Sequence, residues 1–396
     1  MIKFSLIIDG NYLLYSTLSV MQIFSPKNKM FLKSNSDEDN RKDTNSLLEK
    51  LTQVYCKDIR NLSAVIDDVI IPVDDSNSWR KHLYIENDYK GINKDLKYKG
   101  NRSKDDTLNF NKIFEVFNDF ILGLRKSSGV KSTSISGCEA DDIIFVLTSL
   151  LNSKGKSVII YSGDGDLTQC VGFNKSTESF TLQYQKQNKK MWIDRTTGLF
   201  LKENKNSYSV DCIRSIVNNT SSTLTVCNPY EVVLDKVLGG DVSDNINSVI
   251  IEQKQYASGN KKGQFYESKI TPKVISKIKE EIEFSEYNIE DLFRSDFTKK
   301  LASSSIRNFK SQNKYNIDDI QNNINLNIIL VLLHKETIPN ALYDDILAWS
   351  ENIIQKKKSN INKQFNKTNL LPEMSLYDVK LQDSASSASI FKELGL

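Results

Sequence analysis

Three short apolar runs in the first half of the chain stop on aspartate, and no other feature constrains the fold as strongly. Phe4–Ile8 runs into Asp9-Gly10-Asn11, Val69–Val73 into Asp74-Asp75, and Val158–Tyr161 into Ser162-Gly163-Asp164-Gly165-Asp166. Short apolar runs closed by turn residues read as buried strands. Helix-like spacing at 12–24, 47–61 and 110–124, with a strongly apolar helix at 143–151, fills the intervals. Strands alternating with helices predict an α/β domain with a mostly parallel central sheet flanked by helices. Such sheets bind ligands beyond the carboxyl ends of their strands. Pro72, inside the second run, predicts an edge position or a ragged strand end.

Elsewhere the pattern is less regular. Residues 25–46 are polar and aperiodic and are expected to form an exposed loop or disordered insertion. Residues 76–106 are basic and tyrosine-bearing. From about 200 the chain turns Lys/Asn/Ile-rich and helical, with few strand signals. Helix starts are marked at Asn228-Pro229 and Thr271-Pro272, and the pattern reaches Gln355. This organisation predicts an α/β domain over 1–240, a helical domain over 241–355 and a polar tail over 356–396.

Composition removes several classes of chemistry. The five cysteines are odd in number and lack CxxC spacing, which excludes a disulfide scaffold or zinc ribbon and suits a reducing compartment. Two histidines, His82 and His334, leave little for a His-based metal site or a Ser-His-Asp triad. No apolar run is long enough to span a membrane, and the N-terminus turns acidic too early for a secretory signal. A cytoplasmic location is expected.

The acids gather in short motifs at predicted strand and helix ends. To the three aspartate stops the chain adds Glu139-Ala-Asp141-Asp142 and Gly240-Asp241-Val-Ser-Asp244-Asn245. Each has a bland explanation: a favoured helix start for the triplet, a turn for Gly-Asp-Gly-Asp, a cap for Asp241–Asn245. Five together point elsewhere. Clustered carboxylates repel unless cations or protons neutralise them, and oxygen ligands without His or Cys select Mg²⁺ or Mn²⁺. Two such ions can activate water and stabilise the leaving oxygen of a phosphodiester. The net charge of +3 is uninformative, but its distribution is not. Between Arg80 and Lys104 lie eight Lys/Arg against three acids, and between Glu252 and Lys279 seven lysines against two glutamates. A polyanion bound beside divalent cations fits that arrangement.

Asp9-Gly10-Asn11, Val73-Asp74 followed by Trp79-Arg80, Tyr98-Lys99-Gly100-Asn101-Arg102, Glu139-Ala-Asp141-Asp142, Ser162-Gly-Asp164-Gly-Asp166 and Gly240-Asp241-x-x-Asp244-Asn245 occur in this order. Over residues 1–250 this series resembles the flap endonuclease / 5′–3′ exonuclease family, in particular its T-even phage ribonuclease H type. The resemblance implies a PIN-like 5′ nuclease fold over 1–240, a basic arch near 76–106 and a DNA-binding helical domain. It implies a structure-specific 5′ nuclease that hydrolyses RNA primers and adjacent DNA in phage replication, with two Mg²⁺ ions and Mn²⁺ as a substitute. By the same resemblance, Asp9, Asp74, Glu139, Asp141 and Asp164 surround one ion, and Asp166, Asp241 and Asp244 the second. Arg80, Lys99 and Arg102 would act at the scissile phosphate. Tyr98, Lys90, Lys254, Lys261 and Lys262 would contact nucleic acid, although Tyr98 and Trp79 read equally as core aromatics.

Two departures from the family pattern stand out. The interval from Arg80 to Tyr98 is long and holds an imperfect copy, Tyr89-Lys90-Gly91-Ile-Asn93. The glycine-rich helix–hairpin–helix after Asp244-Asn245 is missing, so Lys254–Lys279 is expected to supply duplex contacts by charge. Expected partners are branched or 5′-flapped DNA and RNA–DNA duplex, a sliding clamp through Ile390, Phe391 and Leu394, and a single-strand-binding protein. The chain is expected to be a monomer. The rival readings are a PIN-type endoribonuclease and a branched-DNA-binding module without catalysis.

Overall fold

The computed structural model describes residues 3–63, 65–86, 98–100, 107–185, 190–194, 223–309 and 315–361. Two units emerge, both discontinuous in sequence: Met1–Asn77, Lys104–Cys227 and Asn340–Leu396 form the first, Ser78–Ser103 and Asn228–Pro339 the second. Residues 78–103, expected in the α/β domain, thus fall in the second unit, and the helix ending at Gln355, expected in the helical domain, falls in the first.

The first half of the chain runs β1 (Phe4–Ile8), α1 (Gly10–Val20), α2 (Asp37–Leu62), β2 (Ile66–Pro72), α3 (Trp79–Glu86), α4 (Phe110–Ser128), β3 (Lys131–Thr133), α5 (Ala140–Ser153) and β4 (Ser157–Tyr161). It continues through β5 (Gly172–Asn174), β6 (Ser179–Gln185), β7 (Lys190–Asp194) and β8 (Thr223–Cys227) to α6 (Pro229–Gly239) and the hairpin β9 (Ile251–Gln255) and β10 (Phe265–Lys269). The helices α7 (Pro272–Glu281), α8 (Ser295–Asn308), α9 (Ile317–Val331) and α10 (Asn340–Gln355) follow.

In the first unit the sheet order is β3-β2-β1-β4-β6-β7-β8, with β5 against β6. The pairs β3–β2, β2–β1, β1–β4 and β4–β6 are parallel, so the central sheet is mostly parallel, as the alternation of runs and helices predicts. Leu6 lies opposite both Val69 and Ile159. Period-two alternation sends Phe4, Leu6 and Ile8 into a core with α1, α2 and α4, while α5 packs against β2, β4 and β6. Each of these fully buried side chains contributes about 1.5–3 kcal/mol. Chain order reverses between β1 and β4, and there such sheets open a crevice.

Two expectations are corrected. Residues 25–46 are largely exposed, as expected, but part of them is regular and anchored: α2 starts at Asp37, ten residues before the predicted helix, and Phe31 is fully buried. The polar composition hid this because Asp43 supplies the anchoring, its Oδ2 accepting from the Phe31 amide (2.7 Å) and the Asn35 side chain (3.0 Å). The stretch beyond 200 also holds more strand than its pattern suggested, in β8, β9 and β10. Pro72 closes β2, which lies between β1 and β3, so it marks a strand end in the sheet interior.

The second unit builds its core from α6, α7, α8 and α9. Asn228 and Thr271 cap α6 and α7 as their Asn-Pro and Thr-Pro signals predict. Asn327 on α9 is fully buried and donates to the carbonyls of Val237 (2.8 Å) and Asn247 (2.9 Å), which tethers both ends of the 239–246 loop. Among the described residues no helix is long and apolar enough to cross a membrane.

Candidate active site: carboxylates at the sheet edge

Asp9, Asp74 and Asp164 leave three adjacent parallel strands, β1, β2 and β4, on their carboxyl side. Asp9 caps α1, its Oδ1 accepting from the Tyr12 amide at 3.1 Å, and its Oδ2 accepts from the Ser162 hydroxyl at 2.8 Å. Gly10 makes room beside it. A Cβ there would stand 2.8 Å from the Pro72 carbonyl oxygen and 3.0 Å from Val73 Cγ2, so only glycine lets the end of β2 meet the start of α1. Asp74 accepts from the Ala140 amide at 2.7 Å and from the Asn11 side chain, which links it to the N-termini of both α5 and α1.

Glu139 is buried at the N-cap of α5. Asp75 accepts from the Gly137 amide at 2.7 Å, and its own amide donates to the Cys138 carbonyl at 3.0 Å, so it fixes the turn that delivers Glu139. Asp142 is fully buried and accepts from the Glu139 amide at 3.3 Å, which makes it a capping residue. Asp141, half-buried in the first turn of α5, adds its charge to burial in pushing the Cys170 thiol up. Asp164 is exposed; its amide donates to Ser162 Oγ at 3.1 Å and its Oδ1 accepts from the Asp166 amide at 2.8 Å. Gln183 on β6 donates to the carbonyls of Ser162 and Asp164 and holds this loop from beneath.

These side chains feel one another. Burial pushes the Asp9 carboxyl up to about 7, with Asp74 and then Asp164 adding to the rise against the hydrogen bonds from Tyr12 and Ser162. Among the described residues, no three His, Cys, Asp or Glu side chains stand close enough to chelate an ion in their present rotamers. The donor chemistry of Asp9, Asp74, Glu139 and Asp164 nevertheless fits a hard divalent cation. All donors are oxygens, and the repulsion that drives Asp9 toward its neutral form is what a cation relieves.

In the second unit, Asp241 and Asp244 share a tight loop in which the Asp241 and Ile246 backbones exchange hydrogen bonds of 2.9 and 2.8 Å. Gly240 enters it at φ +76°, where a Cβ would lie 2.5 Å from three backbone atoms of residues 246–248. Both carboxylates face lysines. Lys236 Nζ sits 2.6 Å from Asp241 Oδ2, and hydrogen bonds from Lys236 and Ser243 hold the Asp241 carboxyl below its usual range despite burial. Lys99 Nζ lies 3.8 Å from Asp244 Oδ2, and its amide donates to the Asp244 carbonyl at 2.8 Å.

Tyr98 is buried (6% exposed) and donates to Asp244 Oδ2 at 3.1 Å, so it is a core aromatic of this unit and presents no face for a base. Trp79 is buried too. Arg80 is 1% exposed, its guanidinium 4.5 Å from the Trp79 ring centre. Lys254 lies over the Phe309 ring at 5.0 Å and pairs with Glu252, whereas Lys261 and Lys262 are exposed. Lys90, Arg102, Ile390, Phe391 and Leu394 lie outside the described residues.

Sequence motifs located the acids but not their supports. Ser162 and Asn11 sat inside recognised motifs without a role, and Gln183 and Lys236 went unnoticed. The signal for Gln183 was a polar residue at an inward position of the Phe-Thr-Leu-Gln-Tyr run, and for Lys236 a single cation one turn before Gly240-Asp241.

A family model described as the 5′-3′ exonuclease N-terminal, resolvase-like domain matches residues 5–198. No curated protein matches the chain. Among solved structures, a bacteriophage T5 protein crystallised with metal ions shares 17% identity with a TM-score of 0.49, over 89% of this chain and 100% of that one. A bacteriophage T5 5′-exonuclease with bound zinc shares 16% at 0.45, and a bacteriophage T5 flap endonuclease in complex with DNA and metal ions 15% at 0.46, each with the same coverage.

Proposed function

Through residues 5–198 the chain belongs to the flap endonuclease / 5′–3′ exonuclease family, and from that premise we propose that it is a divalent-metal-dependent 5′ nuclease acting on branched or 5′-flapped nucleic acid. One observation carries the reading. Three carboxylates emerge from neighbouring parallel strands at the point where chain order reverses, close enough that Asp9 is driven toward neutrality by burial, Asp74 and Asp164.

In this reading Asp9, Asp74, Glu139 and Asp164 hold the cation. When bound, such an ion lowers the pKa of water and neutralises charge at a phosphoryl oxygen. The protein's own part is positional. Ser162 ties Asp9 to the loop carrying Asp164, Asn11 and the Ala140 amide orient Asp74, and Asp75 seats Glu139. The chemistry needs no covalent intermediate. For Asp241 and Asp244, which Lys236 and Lys99 face in the structure, the proposal is that their carboxylates would hold a second cation. Lys99, whose Nζ stands 3.8 Å from Asp244 Oδ2, would neutralise a phosphate held there. Removal of RNA primers and adjacent DNA is the proposed setting, and Mg²⁺ the proposed metal, with Mn²⁺ able to substitute.

The test uses a 5′-end-labelled flap duplex with and without Mg²⁺. Asp164→Asn removes one ligand charge at an exposed position, so cleavage falls by about 100-fold or more while flap binding persists. Full cleavage by Asp164→Asn, or cleavage by the native chain in EDTA, overturns the proposal.

A further inference from the structure

The β9–β10 ribbon of the second unit holds its shape with most of its surface in solvent. Five antiparallel pairs run from Ile251–Lys269 to Gln255–Phe265. The ladder then continues through Tyr256 N to Gln264 O and Gly263 N to Tyr256 O, both at 3.0 Å. The turn beyond is closed by Lys262 N to Gly259 O (3.0 Å) and Gln264 N to Lys261 O (2.9 Å). An isolated two-stranded hairpin is marginal in water. This one is rooted by the Tyr315 hydroxyl on the Ile251 carbonyl at 2.9 Å, by buried Glu252 and by Lys254 over the Phe309 ring. It is an ordered arm.

What the arm carries is unusual for a solvent-facing ribbon. Phe265 is 71% exposed, the largest exposure of any big apolar side chain described. Tyr266 packs on Tyr256 with ring centres 4.5 Å apart, and Lys261 Nζ lies 5.8 Å from the Tyr256 ring. Residues 255–266 contain two lysines and three aromatic rings, and Glu267, on the strand face that Phe265 shares, is the first acid beyond them. Leaving a phenyl group in water forgoes about 1.5–3 kcal/mol of burial, and Lys261 and Lys262 sit in the turn that joins the two strands, cations that favour an anion also presenting a flat apolar face.

We infer that this ribbon binds unpaired nucleotides, Phe265 stacking on a base while Lys261 and Lys262 take the flanking phosphates. A phenyl ring offers no hydrogen bond to read a base edge in a duplex groove, but every unpaired base has a face on which to stack. The inference narrows the function proposed above: it assigns to single strands lysines that the sequence alone suggested for duplex. It draws on that reading only in taking the ligand to be nucleic acid.

Fluorescence anisotropy in EDTA, with the full chain and either a short labelled oligothymidine or a blunt duplex, tests it. Phe265→Ala weakens oligothymidine binding by about fivefold or more, the loss of one stacked base, with little change for blunt duplex. Phe293→Ala, an exposed aromatic outside the ribbon, changes neither. Lys261→Ala/Lys262→Ala flattens the dependence of log affinity on log salt for oligothymidine by about 1.4. Equal affinities for Phe265→Ala and Phe293→Ala, no binding of oligothymidine by the native chain, or lysine effects confined to duplex would each overturn the inference. An arm that served an acidic protein instead would leave both affinities unmoved, which also overturns it. Oligothymidine binding through Phe265 in a chain that fails to cleave the flap in Mg²⁺ would sink the nuclease reading and leave the arm standing.

Discussion

Asp9 accepts hydrogen bonds from the Tyr12 amide and the Ser162 hydroxyl, while burial and the charges of Asp74 and Asp164 push its carboxyl up to about 7. The linkage sign follows. With a folded pKa above the unfolded value near 3.8, the folded state binds the proton more tightly. Stability from this group is therefore full below about pH 4 and lost as pH rises toward 7, at about 1.4 kcal/mol per pH unit. Asp9→Asn keeps the cap, because asparagine is as good an N-cap as aspartate, and removes the charge. The metal-free variant accordingly melts at a higher temperature than the native protein at pH 8 and at about the same temperature at pH 4. Mg²⁺ raises the melting temperature of the native chain at pH 8 and does little for the variant. Scanning calorimetry at the two pH values reads all four outcomes, and an Asp9→Asn protein no more stable than native at pH 8 without metal would contradict the assignment. Asp9, Asp74 and Asp164 are legible in sequence because each follows an apolar run. Ser162 and Gln183 are not, because a serine in a turn and a glutamine in a strand look the same whether or not they brace a carboxylate.

At the scale of elements, runs with a clear period were legible and anchored polar segments were not. Continuous apolar runs locate β1 and β4, and 3.6-residue spacing locates α4 and α5, to within a few residues, because hydrophobic burial alone fixes those elements. The first turns of α2 and the anchoring of the 25–36 loop are not legible, for the opposite reason: they rest on the Asp43 carboxylate, whose two acceptor contacts have no signature in hydropathy. The buried Asn323 and Asn327 of α9 are a second case of anchoring without a hydropathy signature: the helix is legible, but not their bonds to the carbonyls of Val249 and Val237. Asp43→Ala leaves the Phe31 amide without its acceptor and costs about 1–3 kcal/mol. Asp43→Asn, which keeps one oxygen acceptor, costs less. Urea unfolding ranks the three proteins, and an Asp43→Ala midpoint equal to native would show that the loop is ordered by something other than this carboxylate.

The chain returns at its far end to the unit in which it began, and composition gives no hint of that because α10 is as amphipathic as the helices before it. α10 packs along α5, with Leu342 methyls 3.6 and 3.7 Å from where a Gly137 side chain would begin. Beyond it Ser359 is tied to β2: its amide and hydroxyl donate to Asp68 Oδ1 at 3.0 and 2.9 Å, and its Oγ accepts from the Val69 amide at 3.3 Å. Asp68 also pairs with buried Lys131 on β3, and Lys358 with Asp67. The last described stretch of the chain thus completes the hydrogen bonding of a buried ion pair, and a buried pair stripped of its supporting partners is strongly destabilising. Truncation after Pro339 uncovers the outer face of α5, whose N-cap is Glu139, and leaves Asp68 short of two donors. Truncation after Ile361 removes neither. The shorter chain is therefore expected to lose at least about 3 kcal/mol of stability, a drop of several degrees in melting temperature, while the longer one melts with the full-length protein. If the two truncations melt together, the return of the chain is packing without consequence, and the first unit is complete without residues 340–361.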